Sequence, residues 1–405
     1  MITSILDNDL YKFAMQNAVK QLYPDVVVVY KFKNRNLKQA YTQEAVQVLQ
    51  ARLNSLSELA LTAGEEAWLR EQVPSFPDDY FAYLRSFRFK PKEHLSIELS
   101  AEGLLSVDAK GLWIETILYE VPFLSLVSEV YFDVIDKDWL MKSQNDLAKH
   151  KISRLIQNKI TFSDFGTRRR RNFETQRIFT EALRDAVDLF GSECGVQGTS
   201  NVYLAYLYEL KPIGTMAHEW IMGASALFSK DDIVHTNQAA LRTWRKVYPT
   251  HFGIALSDTY GTDVFFKDFD QELTQDYDGV RQDSGDPKKF VDAWVQHCQN
   301  VGVDVGTKVV VFSDSLSVDL CSDLQEYCRK RGVVARYGIG THFTNDFKKA
   351  SNPSEKSPAL NIVMKLDTVN GSRVVKLSDD KNKYTGDTEA VKKVLKALGK
   401  SSTIS

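Results

Sequence analysis

Residues 279–341 read GVRQDSGDPKKFVDAWVQHCQNVGVDVGTKVVVFSDSLSVDLCSDLQEYCRKRGVVARYGIGT. Gly279 to Gln282 predicts a short strand. Asp286-Pro287 then supplies an N-cap and a proline at the first helical position, where the missing N–H costs nothing. The helix that follows carries Phe290, Val291, Trp294, Val295 and Cys298 on one face. Lys308 to Phe312 is a second strand of continuous β-branched character, Ser317 to Lys330 a second helix, and Val333 to Tyr337 a third strand. Strand and helix alternate with short links, which predicts a parallel α/β barrel or an open doubly wound sheet.

The same rhythm extends upstream. Phe252 to Leu256 and Ile160 to Phe165 read as strands, and a helix runs through the neighbourhood of Ala148. Asn172 is the expected N-cap of a helix whose apolar positions Phe179, Leu183, Ala186, Val187 and Phe190 fall at helical spacing, with Gly191 as its stop. Before residue 145 the pattern is mixed. Val26 to Phe32 (VVVVYKF) has the composition of a buried strand. Leu49 to Leu84 is helical with breaks at Pro74 and Pro77, and Leu95 to Leu105 predicts a hairpin turning near Glu102-Gly103. Downstream, Asn361 to Leu366 and Arg373 to Leu377 predict a hairpin around Asn370-Gly371. That hairpin breaks the alternation and is expected to join the N-terminal part. The expected domains are 1–145, completed by about 352–405, and a catalytic barrel over 146–351, with Ser351 to Ser357 as a linker.

The chain has 405 residues, 43% hydrophobic and 26% charged, the balance of a water-soluble globule. With 51 basic and 53 acidic residues its formal net charge is -2, which argues against a nucleic-acid partner. No apolar run is long enough for a membrane span, and residues 1–20 have no signal-peptide pattern, so the expected location is cytoplasmic. Cys194, Cys298, Cys321 and Cys328 form no C-x-x-C pair and are expected to be core thiols.

Polar residues gather just after the predicted strands, the edge at which parallel α/β folds bind ligands. In Ser163 to Arg171 (SDFGTRRRR), Phe165 is suited to stack on a flat ring and Arg168 to clamp a carboxylate; the charge run alone equally suits a solvated helix start. Gly198 to Asn201 (GTSN) is a turn able to offer N–H groups to an anion. Gly214 to Glu219 (GTMAHE) contains His218, and a lone histidine beside a glutamate is more often structural than catalytic. Asp258, Asp283 and Asp314 close successive strands; each singly suits a helix cap, while three convergent carboxylates suit Mg²⁺. Arg281, two residues before Asp283, points to the same side of an extended segment. Tyr337 to Thr341 (YGIGT) lets the backbone close on a phosphate.

Together these motifs resemble the nicotinate phosphoribosyltransferase family of the bacterial, ATP-coupled type. The likeness runs nearly end to end, from LDNDLYKFAM (Leu6 to Met15) through KNRN, DFGTRRRR, GTSN, GTMAHEW, DTYGTD, GVRQDSGD, VFSDSLS and YGIGTHFTND. The resemblance implies an irregular parallel α/β barrel beside a smaller α/β domain built from both chain ends, working as a homodimer. It also implies that nicotinate and phosphoribosyl pyrophosphate give nicotinate mononucleotide and pyrophosphate in NAD salvage. ATP hydrolysis is then coupled through a phosphohistidine, with Mg²⁺ as cofactor and no membrane or nucleic-acid partner.

Carried over residue by residue, the resemblance makes His218 the phosphorylated histidine, with Asp283 and Arg281 beside it in the catalytic group. Tyr11 and Phe165 match the aromatic pair around the pyridine ring, Arg168 a ring-site arginine, and Ser200 and Thr215 the ring pocket. Gly340 and Thr341 match the 5′-phosphate loop. Arg35 and Lys376 match basic residues near the polyphosphate, Arg35 by reaching across a dimer. Asp258, Asp283 and Asp314 match acidic residues around ribose, pyrophosphate and metal. Many ribosyl-phosphate transferases carry paired acids after a hydrophobic strand, and that signature is absent here, as a barrel-type class implies. The alternatives are a nicotinamide-using relative, a decarboxylating quinolinate transferase, which has no need of the histidine, and a non-catalytic phosphate-binding barrel.

Overall fold

A computed structural model of the protein describes residues 2–36, 39–228 and 232–401. In chain order, Val27–Asn34 (β1), Leu95–Leu99 (β2) and Leu105–Leu112 (β3) come first. Phe162–Asp164 (β4), Val196–Thr199 (β5), Ile254–Leu256 (β6), Gly279–Gln282 (β7), Val309–Phe312 (β8) and Val334–Ile339 (β9) follow. Phe347–Lys348 (β10), Lys356–Ser357 (β11), Ile362–Val369 (β12) and Ser372–Arg373 (β13) are the last.

β4 to β9 make a parallel sheet in the order β5-β4-β9-β8-β7-β6. Its edges β5 and β6 do not pair with each other; the extended segment 211–215 lies between them. Ile213 N–H donates to the Thr199 carbonyl at 2.8 Å, and the Thr215 hydroxyl donates to the Ile254 carbonyl at 2.8 Å. This bridge makes the sheet an irregular barrel rather than an open doubly wound sheet.

Helices cover the outside and start where side-chain oxygens cap them. Asn172 accepts from Thr175 N–H, Asp286 from Lys288 and Lys289 N–H ahead of Pro287, and Ser317 from Leu320 N–H. Gly191, at φ 64°, ends the first of these helices. All four cysteines are free and buried, as expected.

The outer faces of the strands (Val280, Val310, Phe312, Ala335, Tyr337) are buried, but the inner face is not packed shut. On β8 burial alternates, and on β9 Val334 is 44% exposed although the strand is central. The interior is a cavity of about 670 Å³, in contrast to barrels whose cores are filled by layers of side chains. The continuous apolar run at 308–312 therefore does not reflect burial on both faces.

The second sheet is antiparallel, in the order β13-β12-β1-β3-β2, so strands from both chain ends make it. β12 pairs with β1 from Val28↔Val369 to Asn34↔Ile362, with an irregularity at Val29/Tyr30. The Asn370-Gly371 turn has φ of 47° and 77°, as a tight hairpin between right-twisted strands requires. Three expectations change here. VVVVYKF is not a doubly buried strand: β1 alternates, with Val27 40% exposed, because an antiparallel sheet keeps one open face. The strand expected over Arg373 to Leu377 is confined to β13; the chain then leaves the sheet, and Leu377 N–H donates to the Thr259 carbonyl at 2.8 Å, which carries Lys376 to the barrel rim. Ser351 to Ser357 is no linker, since it closes the β10–β11 hairpin, with Ser351 bonded to Asp138 and Ser357 to Arg171.

The basic run is likewise not a solvated helix start, for Arg170 and Arg171 are fully buried. Arg170 makes paired bonds to both oxygens of Asp7 at 2.8 Å and a third to Glu129 at 3.0 Å. Arg171 lies 3.5 Å over the Phe132 ring and donates to Ser357. Among the described residues no helix is long and apolar enough to cross a membrane. Asp7→Ala leaves Arg170 with Glu129 alone and is expected to cost about 3–5 kcal/mol in urea unfolding; a loss under about 1 kcal/mol refutes the pairing as a tether between the N-terminus and the barrel.

Candidate functional site

The site is built at the C-terminal rim of β4 to β9, where one helix enters from outside the barrel. That helix, Leu10–Leu22, docks through Leu10 N–H to the Ser200 carbonyl at 2.9 Å, and Ser200 Oγ donates to Asp9 at 2.7 Å. Docking places Tyr11 on the wall of the interior cavity. Phe165, Arg168, Ser200, Thr215 and Arg281 line the same cavity, so the ring-site residues expected from sequence come together. Gly338 makes this possible, because a Cβ there would lie 2.3 Å from the Phe165 ring. Arg281 lies 5.9 Å from the centre of that ring. The hydroxyls of Ser200 and Thr215 are spent on Asp9 and on backbone carbonyls, so those residues shape the wall. Burial raises the Tyr11 phenol well above its ordinary range, and its oxygen has no hydrogen-bond partner.

A buried ion network lies behind this wall. Lys12 has no exposed surface and meets Glu120 at 2.7 Å and Glu219 at 2.5 Å. Glu120 also holds Arg168 at 3.3 Å, and Glu219 also accepts from Trp113 at 2.6 Å and from the Tyr30 hydroxyl. Glu219 therefore points away from its neighbour His218 and is not the carboxylate that orients the imidazole. Sequence reading missed Lys12 and Glu120. Lys12 stands beside Tyr11 in DLYKF, but nothing local marks Glu120 (LYEVP), whose partners are remote in sequence.

His218 opens the helix His218–Leu227 and is buried at 5% exposure. Nε2 lies 3.1 Å from Asp283 Oδ2 and 3.5 Å from Asp258 Oδ1, and Nδ1 lies 3.1 Å from the Thr259 hydroxyl. Carboxylates only accept, so Nε2 carries the proton of the neutral ring. Nδ1 is then the lone-pair nitrogen, accepting from Thr259. Burial, reinforced by Lys376, lowers the His218 pKa to about 4. Asp283 is held well below the ordinary carboxylate range; burial opposes this, but Arg281, at 2.9 Å, and His218 outweigh it.

Asp258 Oδ2 accepts from Ser284 at 2.5 Å and Ser378 at 3.3 Å, with Lys376 at 3.5 Å. Oδ1 is buried with no hydrogen bond. Ser378 is held at φ 88°, a strained conformation for a non-glycine residue, next to the lysine it helps deliver. His218, Asp258 and Asp283 offer ligand atoms within 4.8 Å of one another. Asp314 is not in this group and instead pairs with Lys383 at 2.6 Å. Arg35 lies within electrostatic reach of Asp314 and Asp380 of its own chain. Gly340 sits against the Phe165 carbonyl, and Thr341 opens the one-turn helix Thr341–Thr344. The rim thus joins two chemistries: an aromatic and guanidinium-lined cavity, and a histidine among carboxylates and lysines.

A model of the nicotinate phosphoribosyltransferase (NAPRTase) family matches residues 160–401, and a model of that family's N-terminal domain matches residues 6–128. The chain is 44% identical over 395 residues to a probable nicotinate phosphoribosyltransferase of Schizosaccharomyces pombe, covering 96% of each. It is 42% identical over 410 residues to the nicotinate phosphoribosyltransferase of Methanosarcina mazei, covering 97% of each. Its fold matches the crystal structure of a putative nicotinate phosphoribosyltransferase from Saccharomyces cerevisiae with TM-score 0.95 at 38% identity, over 99% of each chain. The Porphyromonas gingivalis nicotinate phosphoribosyltransferase structure matches with TM-score 0.90 at 33% identity, covering 98% of this chain and all of that one.

Gly338→Ala is expected to turn Phe165 off the cavity wall and to destabilise the fold by about 1–3 kcal/mol, as overpacking does. A crystal structure of the variant with an unmoved Phe165 ring contradicts the close approach.

Proposed function

The chain belongs to the nicotinate phosphoribosyltransferase family, and on that premise we propose that it joins nicotinate to phosphoribosyl pyrophosphate, releasing nicotinate mononucleotide and pyrophosphate in NAD salvage. The proposal includes ATP hydrolysis coupled through a phosphohistidine on His218, in a cytoplasmic homodimer. The observation that carries it is the pairing on one barrel rim of an aromatic cavity with guanidinium groups and a neutral, carboxylate-oriented histidine.

The pyridine nitrogen is the nucleophile, so the ring needs alignment and no enzyme base. Tyr11 and Phe165 are suited to hold the ring, and Arg168 and Arg281 to hold its carboxylate. This favours an acid over its amide, for an amide would leave the guanidinium charge unmatched. As the C1′–O bond breaks and the C1′–N bond forms, charge develops on the ribose and on the departing diphosphate. Position and electrostatics therefore dominate the barrier.

For energy coupling, the Nδ1 lone pair of His218 takes the γ-phosphoryl of ATP as the bond to ADP breaks, and Thr259 must release that nitrogen. Nε2–H stays on Asp283, whose charge stabilises the phosphorylated ring. Asp258, with its unpartnered Oδ1, and Asp283 fit a hard cation such as Mg²⁺, which takes few protein oxygens and keeps its waters. Mg²⁺ bound there supplies charge neutralisation for the diphosphate.

Turnover of nicotinate and of nicotinamide with phosphoribosyl pyrophosphate, with and without ATP, tests the reading; turnover of nicotinamide alone overturns it. With γ-labelled ATP, acid-labile label is expected on the wild type. His218→Asn is expected to lose the label and the ATP stimulation while slow uncoupled transfer persists; complete loss of basal transfer means that the side chain does more than carry phosphate. Because only the neutral ring has the lone pair and its pKa lies at about 4, labelling is expected to hold as pH falls through about 6.5, the ordinary histidine midpoint, and to fail only near 4. A half-loss at the ordinary midpoint refutes a neutral buried His218.

A further inference from the structure

Lys365 was not singled out by any sequence motif, and the ring cavity does not include it. It stands on β12, opposite Lys31 of β1, and reaches the rim with 21% of its side chain exposed. The nearest anion is Glu120 Oε1 at 3.8 Å, beyond hydrogen-bond range. That carboxylate is already taken up by Lys12 at 2.7 Å and Arg168 at 3.3 Å. The Lys365 ammonium thus makes no hydrogen bond within the described residues. The groups facing it are Glu120 at the start of the helix Glu120–Val130, Arg168 after β4, Asp283 after β7 and Lys376 after β13. Burial, with Arg168 and Lys376 adding to it, pushes the ammonium down to about 8.

A desolvated cation without an acceptor is unfavourable until something supplies one. Its surroundings say which anion fits. Arg168 lines the ring cavity and Lys365 does not, so a ring carboxylate meets the arginine first. On its other side Lys365 faces Lys376 and Asp283, the group around His218 and Asp258 that suits phosphates and their metal.

Resting on the function proposed above, we propose that Lys365 is a further substrate-binding residue whose ammonium receives the diphosphate of phosphoribosyl pyrophosphate. When the C1′–O bond breaks, its electron pair leaves with the diphosphate and the pyridine nitrogen's pair forms C1′–N. No proton need move, and the added negative charge on the leaving group falls beside Lys365. Until substrate binds, the residue is an unmatched charge held in place by its strand.

Steady-state kinetics of wild type, Lys365→Gln and Lys365→Arg test this, together with product inhibition by inorganic pyrophosphate. Glutamine is expected to raise KM for phosphoribosyl pyrophosphate and the pyrophosphate inhibition constant by about tenfold or more, the loss of one charged hydrogen bond. KM for nicotinate is expected to stay within about twofold, since Arg168 remains in place. Arginine is expected to restore much of the diphosphate affinity, a rescue that a purely structural role does not produce. Removing a charge crowded by Arg168 and Lys376 leaves Glu120 still paired with Lys12, so the variant is expected to fold; a thermal midpoint near that of wild type checks this. A raised nicotinate KM with unchanged diphosphate constants overturns the proposal and assigns Lys365 to the ring clamp. Unchanged constants throughout overturn it as well. Absence of nicotinate turnover in the wild type is a separate result, which defeats the function proposed above.

Discussion

Lys12, a lysine with no exposed surface, is the constraint on which the rest of the site depends. Withdrawing an ammonium from water costs several kcal/mol, and the cost is offset only when carboxylates meet it with good geometry. Here two do, and each is committed elsewhere. Glu120 holds Arg168, and Glu219 is clasped by Trp113 and Tyr30. One charge therefore fixes the relative position of three pieces of structure: the entering helix that carries Tyr11, the barrel loop that carries Arg168, and the helix start that carries His218. Tyr30 extends the same tie to the antiparallel sheet. Because every member is buried, no single member can relax without stranding the others.

The second constraint is emptiness. A parallel barrel normally fills its interior with side chains; this one leaves it open, and a glycine at 338 admits the Phe165 ring where a methyl group would collide. The apolar content of the strands goes to their outer faces, against the helices. The inner face is left to Arg281, Arg168 and small residues that shape a ring-sized slot. Beyond the slot, the rim separates the charges. Arg281 and His218 hold Asp283, Ser284 and Ser378 hold one oxygen of Asp258, and Lys376 arrives from a segment that has left its own sheet.

Much of the architecture was legible in the chain because it rests on local rules. The strands at 279–282 and 309–312, the caps at Asn172, Asp286 and Ser317, and the Asn370-Gly371 turn follow from periodicity, side-chain capping and the φ > 0 that asparagine and glycine tolerate. The ring-site group was legible as motifs after strand ends, since a parallel sheet brings those ends to one rim. What misled the reading was composition without context. VVVVYKF reads as doubly buried but lies in a sheet with an open face, the arginine run reads as solvated but is half core, and Ser351 to Ser357 reads as a linker but closes a hairpin.

Sequence by itself determined the alternating elements, their capped ends and the set of residue types delivered to the rim, all of which depend on neighbours a few positions away. Tertiary structure alone decided which of those residues meet. It turned Glu219 away from His218, sent Asp314 to Lys383, placed Asp258 and Asp283 around one imidazole nitrogen, and left Lys365 without an acceptor. The physical reason is that a buried charge is defined by its partners within a few ångströms. For Lys12 and Glu219, or Glu120 and Lys365, those partners lie hundreds of residues away along the chain.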